Sequence, residues 1–193
     1  MDTVAEEFVE FDPFAGAGVE RVVPTSQAQR EVWLADQLSS QASLAFNESV
    51  SLRLRGRLDK EAIRGALNAL VARHDSLRAT LGPDGTELLV NATAALALEH
   101  VDLSGDSPAR RDALLRKAAA EAVQTPFDLE RGPLLRAALY RIDGLDHVLM
   151  MTAHHIVCDG WSWGLITDDL GALYAEQIGA APGPDPAPSY AEY

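Results

Sequence analysis

The sequence predicts an α/β fold, a mixed sheet flanked by helices. Three observations point to it. Val148 to Met151 is an unbroken apolar run, the pattern of a strand buried on both faces. Downstream, Trp163, Ile166, Leu170, Leu173, Tyr174 and Ile178 recur at helical spacing. Upstream, segments of period two and of period 3.6 succeed one another, as an α/β layer arrangement requires.

Taken in order, residues 1–20 hold Glu6, Glu7, Glu10, Asp12 and Glu20 among glycines and scattered phenylalanines, with no sustained period. We read them as an acidic leader or linker, ordered only where Phe8, Phe11 or Phe14 dock. The first helix starts near Thr25 or Ser26, and Ser26 and Gln29 have capping-box spacing. Ala28, Val32, Leu34 and Leu38 mark its apolar face, with Trp33 beside it, and Arg30 reads as a surface group. Val50, Leu52 and Leu54 alternate with Ser51 and Arg53, a half-buried strand that Gly56 ends. Asp59 caps a second helix with the stripe Ile63, Leu67, Leu70, Val71. Arg73 to Thr80 closes that helix and enters a short strand. Pro83-Asp84-Gly85 turns between short strands. Leu96, Leu98 and Val101 predict another.

Ser107-Pro108 opens a helix as N-cap and first-turn proline. Leu114, Leu115, Ala118, Ala122 and Val123 line it, and Thr125-Pro126 ends it. Phe127-Asp128-Leu129 and Gly132-Pro133-Leu134 lead into a strand through Ile142. Asp143-Gly144 then turns that strand into the Val148 strand. Four prolines in residues 181–188 end the last helix and form a stiff linker. Residues 181–193 are thus expected to be a linker and the start of a further segment, leaving 21–180 as the folded unit.

Composition excludes several functions. Hydrophobic residues make up 47% of the 193, enough for a core, and the net charge of -13 excludes a nucleic-acid surface, which needs clustered Lys and Arg. Cys158 is the single cysteine, so no intrachain disulfide forms and a cytoplasmic location is expected. No apolar run approaches the ~20 residues of a membrane helix.

The stretch Ala153 to Ser162 concentrates the chemistry. Two histidines leave the end of a central strand; an aspartate and a glycine open a helix. Such a junction brings side chains and free N–H groups to one spot. Each residue also has a plain structural reading. Asp159 can be an N-cap and Gly160 can permit a tight turn. Adjacent residues at a strand end point to opposite faces, so one of His154 and His155 is expected in the core. For the same reason His154, His155, Cys158 and Asp159 do not converge on one ion, and no metal site is expected.

Four segments resemble the condensation domains of nonribosomal peptide synthetases. Ser26-Gln27-Ala28-Gln29-Arg30 with Trp33 is similar to the family's first motif. Arg73-His74-Asp75-Ser76-Leu77-Arg78 is similar to its second, where glutamate is common at the third position. His154-His155 with Asp159-Gly160 is its HHxxxDG motif. Pro126-Phe127-Asp128-Leu129 with Gly132-Pro133-Leu134-Leu135-Arg136 is typical between the second and third. The resemblance covers about residues 20–193 and implies a chloramphenicol-acetyltransferase-like fold of two lobes with a tunnel between them. The family's later motifs are not in this chain, so it is expected to be the N-terminal lobe, half of a two-lobed domain and inactive alone.

The resemblance makes His155 the catalytic residue. The Gly160 N–H at a helix N-terminus is a candidate oxyanion donor. His154, Asp159, Arg73 and Arg78 are expected to be structural at the site, with Asp159 pairing an arginine or capping the helix. The reaction implied is amide bond formation between carrier-bound thioesters, with upstream donor and downstream acceptor carrier domains as partners. Phosphopantetheine carries the substrates, and no directly bound cofactor is expected. Cys158 has no assigned base and is not expected to be a nucleophile. Two other functions remain: an HxxxD acyltransferase using coenzyme A, satisfied by His155 and Asp159, and a non-catalytic lobe that docks carriers. Docking would want local arginines; Arg53, Arg55 and Arg57 alternate on one strand but read as an exposed face.

Overall fold

The computed structural model describes Phe14 and residues 18–189. In chain order the elements are β1 (Val19–Pro24), α1 (Gln27–Leu38), α2 (Ser40–Leu44), β2 (Asn47–Arg55) and α3 (Lys60–Arg73). A single 3-10 turn (Asp75–Arg78) leads into β3 (Ala79–Leu81), β4 (Glu87–Asn91) and β5 (Leu98–Asp102). The chain ends with α4 (Pro108–Gln124), β6 (Leu135–Arg141), β7 (Asp146–His154) and α5 (Gly160–Gln177). The strands make two sheets. One is antiparallel, in the order β1-β4-β3. The other is mixed, in the order β2-β7-β6-β5, with β5 parallel to β6 and the other pairs antiparallel.

β7 is the strand the apolar run predicts: an inner strand, buried along nearly its whole length. Its alternate side chains enter two cores. Leu149, Met151 and Ala153 join Ile63, Leu67 and Leu70 of α3 and Ile166, Leu170 and Leu173 of α5. Val148 and Met150 join Tyr140 and the Leu114, Leu115, Ala118 and Ala122 face of α4. The pleat thus puts helices on both faces, because neither set of side chains can be left to water. The sheet fixes where β7 ends, and so where the His154-His155 pair emerges.

Local chemistry sets the helix starts. Ser26 and Gln29 form the expected reciprocal capping box at α1. Asp59 accepts from Glu61 N and Ala62 N to start α3. Pro108 stands in the first turn of α4 as expected, although Ser107 makes no side-chain cap.

Several expectations change. β1 begins at Val19, inside the segment read as leader; five of its six residues are exposed, so no alternation marks it. Phe14 lies against Gly132, where an added Cβ would come within 3.1 Å of its ring. Phe8 and Phe11 lie outside the described residues, as do Tyr190 to Tyr193. α2 is five residues, too short to show a period. The apolar face expected on α1 is wrong at three positions: Ala28 is exposed, Leu34 is 58% exposed and Leu38 81%. Gln29 is buried instead, with Val32 and Trp33 packed on the core, because the helix turns its capping-box face inward. Leu96 is buried but precedes β5, its N–H taken by Asn68 Oδ1 at 2.9 Å. The proline-rich segment folds back on the domain, where Ser189 donates to Asp75 Oδ2 at 2.5 Å and accepts from Arg21 Nη1 at 2.7 Å.

Candidate active site

The turn between β7 and α5 is fastened on every side. His155 N donates to Phe46 O at 2.7 Å, and Val157 N to His154 O at 3.1 Å. Gln29 Nε2 donates to Ile156 O at 3.1 Å, so the α1 capping-box residue also clamps the histidine turn. At the far end Asp159 Oδ1 accepts from Ser162 N at 2.8 Å and from Ser162 Oγ at 2.6 Å. The hydroxyl and the N–H of Ser162 hold the Asp159 carboxyl below the usual carboxylate range. Asp159 is therefore the N-cap of α5, and no arginine pairs with it among the described residues.

The two histidines diverge. His154 has no exposed surface. Its Nδ1 accepts from Ile156 N at 3.2 Å, and its Nε2 faces Asp36 Oδ1 at 3.6 Å, beyond hydrogen-bond reach. Phe46 and Phe127 flank the ring at centroid distances of 6.0 and 6.1 Å. Arg136 in turn stacks on Phe127 at 3.8 Å, which gives the Phe127…Arg136 signature a physical purpose: it walls in His154. Burial pushes the His154 pKa down to about 4, against the pull of Asp36, so the ring is neutral.

The His155 side chain is 38% exposed. It lines a cleft of about 250 Å³ with Ser26, Gln29, Val32, Cys158 and Asp159. Its Nδ1 is shut off from water and lies 2.9 Å from Glu48 Oε1, with the N–H direction off the hydrogen-bond axis. The exposed part of the ring is the remainder, which carries Nε2. Gly160 is not among the residues that line this cleft, although its neighbour Asp159 is; it is the first residue of α5, a position whose N–H has no intrahelical partner. Its φ is not positive, and an added Cβ would meet nothing within 4 Å. The tight-turn reading of Gly160 is thus incorrect; the missing side chain leaves open space over the helix N-terminus. Cys158 is 3% exposed, and burial pushes its thiol up to about 12, so it stays protonated.

The arginines of the second motif stand elsewhere. Arg73 Nε and His74 Nε2 both reach Asp169 Oδ2 at 2.8 Å, tying α3 to α5. Arg73 lines a neighbouring cavity that shares Val157 and Ser162 with the His155 cleft. Arg78 is not at the site, contrary to expectation: it binds Asp75 at 2.6 Å, Glu20 at 2.7 Å and Asn91 O, bracing the small sheet. Arg53 pairs with Asp146, while Arg55 and Arg57 are exposed. Sequence reasoning missed Glu48. On β2 it is one polar residue in an alternating strand, with no local signal.

A buried neutral histidine, an open one beside it and a capped helix N-terminus occupy one turn. The model of the family described as Condensation domain matches residues 19–193. The chain belongs to the condensation-domain family. This condensation domain is 42% identical over 177 residues to the chondramide synthase cmdD of Chondromyces crocatus, which is 89% of this chain and 4% of that protein. It is 41% identical over 175 residues to the phosphinothricin tripeptide synthetase PhsC of Streptomyces viridochromogenes, 89% of this chain and 16% of that one. Among solved structures, SgcC5 from Streptomyces globisporus matches with a TM-score of 0.76 and 30% identity, over 88% of this chain and 40% of that chain. The starter condensation domain of the rhizomide synthetase RzmA matches with a TM-score of 0.76 and 26% identity, over 88% and 41%. The chain therefore has the condensation-domain fold, spans about two fifths of those structures and is a partial domain. Amide bond formation, alongside carrier-protein domains, is the family's function. Among the described residues no helix is long and apolar enough to cross a membrane.

Proposed function

We propose that the chain is the N-terminal lobe of a nonribosomal peptide synthetase condensation domain, with His155 as its catalytic residue. One observation carries this: of the adjacent pair His154 and His155, only His155 opens into a cleft, beside the N-terminus of α5. In this reading an acyl or peptidyl group arrives as a thioester on the phosphopantetheine of an upstream carrier. The amine of an aminoacyl group on a downstream carrier attacks the thioester carbon. The C–N bond forms, the C–S bond breaks, and the proton lost by the amine ends on the departing thiol. His155 Nε2 accepts or orients that proton. The Gly160 N–H donates to the oxyanion. His154 and Asp159 hold the turn. Phosphopantetheine is the substrates' carrier, and no cofactor binds this lobe directly.

The lobe alone is expected to be inactive, because half a tunnel neither excludes water nor aligns two substrates. Exposed apolar surface on the first turns of α5 fits contact with a second lobe: Trp161 is 88% exposed and Leu165 51%. The location expected is cytoplasmic. The test uses the intact protein with donor and acceptor carriers loaded, and intact mass spectrometry of the acceptor. A mass gain equal to the donor acyl group, reduced about 10²- to 10⁴-fold by His155→Ala, supports the reading. Full turnover by that variant overturns the role of His155. Transfer from free coenzyme A thioesters without a carrier identifies an acyltransferase instead, and carrier binding without transfer a docking lobe.

A further inference from the structure

We infer that Glu48 is a positioning residue for His155: its carboxylate fixes which imidazole nitrogen carries the proton and leaves Nε2 free to face the substrate. The inference rests on His155 being the residue that meets the amine. Four features of the structure lead to it.

Glu48 Oε1 is 2.9 Å from His155 Nδ1, an atom with no water access and no other partner among the described residues. A nitrogen so enclosed needs a group to receive its hydrogen, and a carboxylate is the one group there that can. The N–H direction is off the axis of this contact, and catalytic bonds of this kind commonly tighten when substrate binds. The carboxylate is itself held. Its other oxygen accepts from Trp163 Nε1 at 3.1 Å, and Trp163 is 7% exposed in the first turn of α5. Glu48 is thus held between β2, on which it sits, and α5, the helix that follows the histidine turn.

The strand register makes this a built arrangement. Glu48 pairs with Ala153 and Asn47 with His154, while Phe46 O takes the His155 N–H. Asn47 is anchored in turn, its Nδ2 donating to Val123 O and Thr125 O, both at 2.9 Å. The start of β2 therefore cannot slide relative to the histidines.

The other charged or titratable groups near the ring are committed elsewhere. Asp159 is occupied by Ser162. His154 is buried and neutral, and the Cys158 thiol stays protonated. That leaves Glu48 to select the Nδ1–H tautomer, as a carboxylate does when it holds an imidazole by one nitrogen so that the other can take a proton.

The test has two readouts. In the ¹⁵N-labelled chain, long-range ¹H–¹⁵N spectra of His155 should show the Nδ1–H tautomer, and Glu48→Ala should shift it toward Nε2–H. In the intact protein with loaded carriers, Glu48→Ala should lower kcat about 10- to 100-fold with KM for the loaded acceptor little changed. Adding it to His155→Ala should cost nothing more, because a residue that acts only through His155 has nothing left to act on. Glu48→Gln, which keeps the volume and one acceptor oxygen, should fall between Glu48 and Ala. It stands in for Glu48→Ala if the truncated strand does not fold. An unchanged His155 tautomer in the substituted chain, or losses that multiply in the double variant, would overturn the assignment. If His155→Ala alone keeps full turnover, the catalytic reading fails by itself and the tautomer decides the pairing.

Discussion

Part of this fold's sensitivity to acid should come from one residue, His154. The perturbation is a fall in pH from about 7.5 to 4.5, applied to the chain and to His154→Asn. Asparagine does not titrate, and its Oδ1 stands near the place of Nδ1, which accepts from Ile156 N. Burial pushes the folded-state pKa of His154 from 6.5 to about 4. Because the folded value lies below the unfolded one, the unfolded chain binds the extra proton between those limits. The stability that the neutral ring permits is complete above the unfolded pKa and is lost as pH falls toward the folded one. A gap of about 2.5 pH units corresponds to a ceiling of about 3 kcal/mol, with about 2 kcal/mol already lost near pH 5. Urea unfolding at each pH measures this. The asparagine variant starts lower at neutral pH, since it leaves a void between Phe46 and Phe127, but its stability should fall less steeply. His147, whose pKa burial also lowers, contributes equally to both chains and cancels in the comparison. Parallel loss in the two chains would refute the reasoning: the ring would then either be protonated in the fold or be reached by water.

Gly160→Ala should leave the unfolding midpoint almost unchanged, within about 0.5 kcal/mol, since the new methyl meets nothing and φ is not positive. In the intact protein it should lower the condensation rate about tenfold or more by filling the space over the α5 N-terminus; an unchanged rate would remove Gly160 from the site. Cys158 should react with iodoacetamide near pH 8 about a thousandfold more slowly in the folded chain than in urea, because burial keeps it a thiol. Alkylation followed by mass spectrometry reads this, and fast labelling of the folded chain would contradict the buried, protonated assignment.

The parts legible in the sequence are the parts governed by near neighbours. The Val148–Met151 run suited an inner strand, because four consecutive apolar residues in a strand need cover on both faces. Ser26 with Gln29, and Asp159 before Gly160, announced helix starts because capping is completed within three residues. β1 and α2 stayed invisible, one because it buries almost nothing and the other because it is barely one turn long. The apolar stripe of α1 misled because period shows which residues share a face but not which face turns inward.

The sequence alone thus determined the strand–turn–helix that carries His154, His155, Asp159 and Gly160, and by resemblance the family. Only the tertiary structure decided which histidine is enclosed, that Arg78 braces the small sheet, and that Glu48 stands against His155. Glu48 and Trp163 are 115 positions apart, and Gln29 and Ile156 are 127. Nothing within a few residues of Glu48 records that contact. It exists because β2 pairs with β7 in one register, and a register is fixed by the burial of whole faces rather than by any residue's own preference.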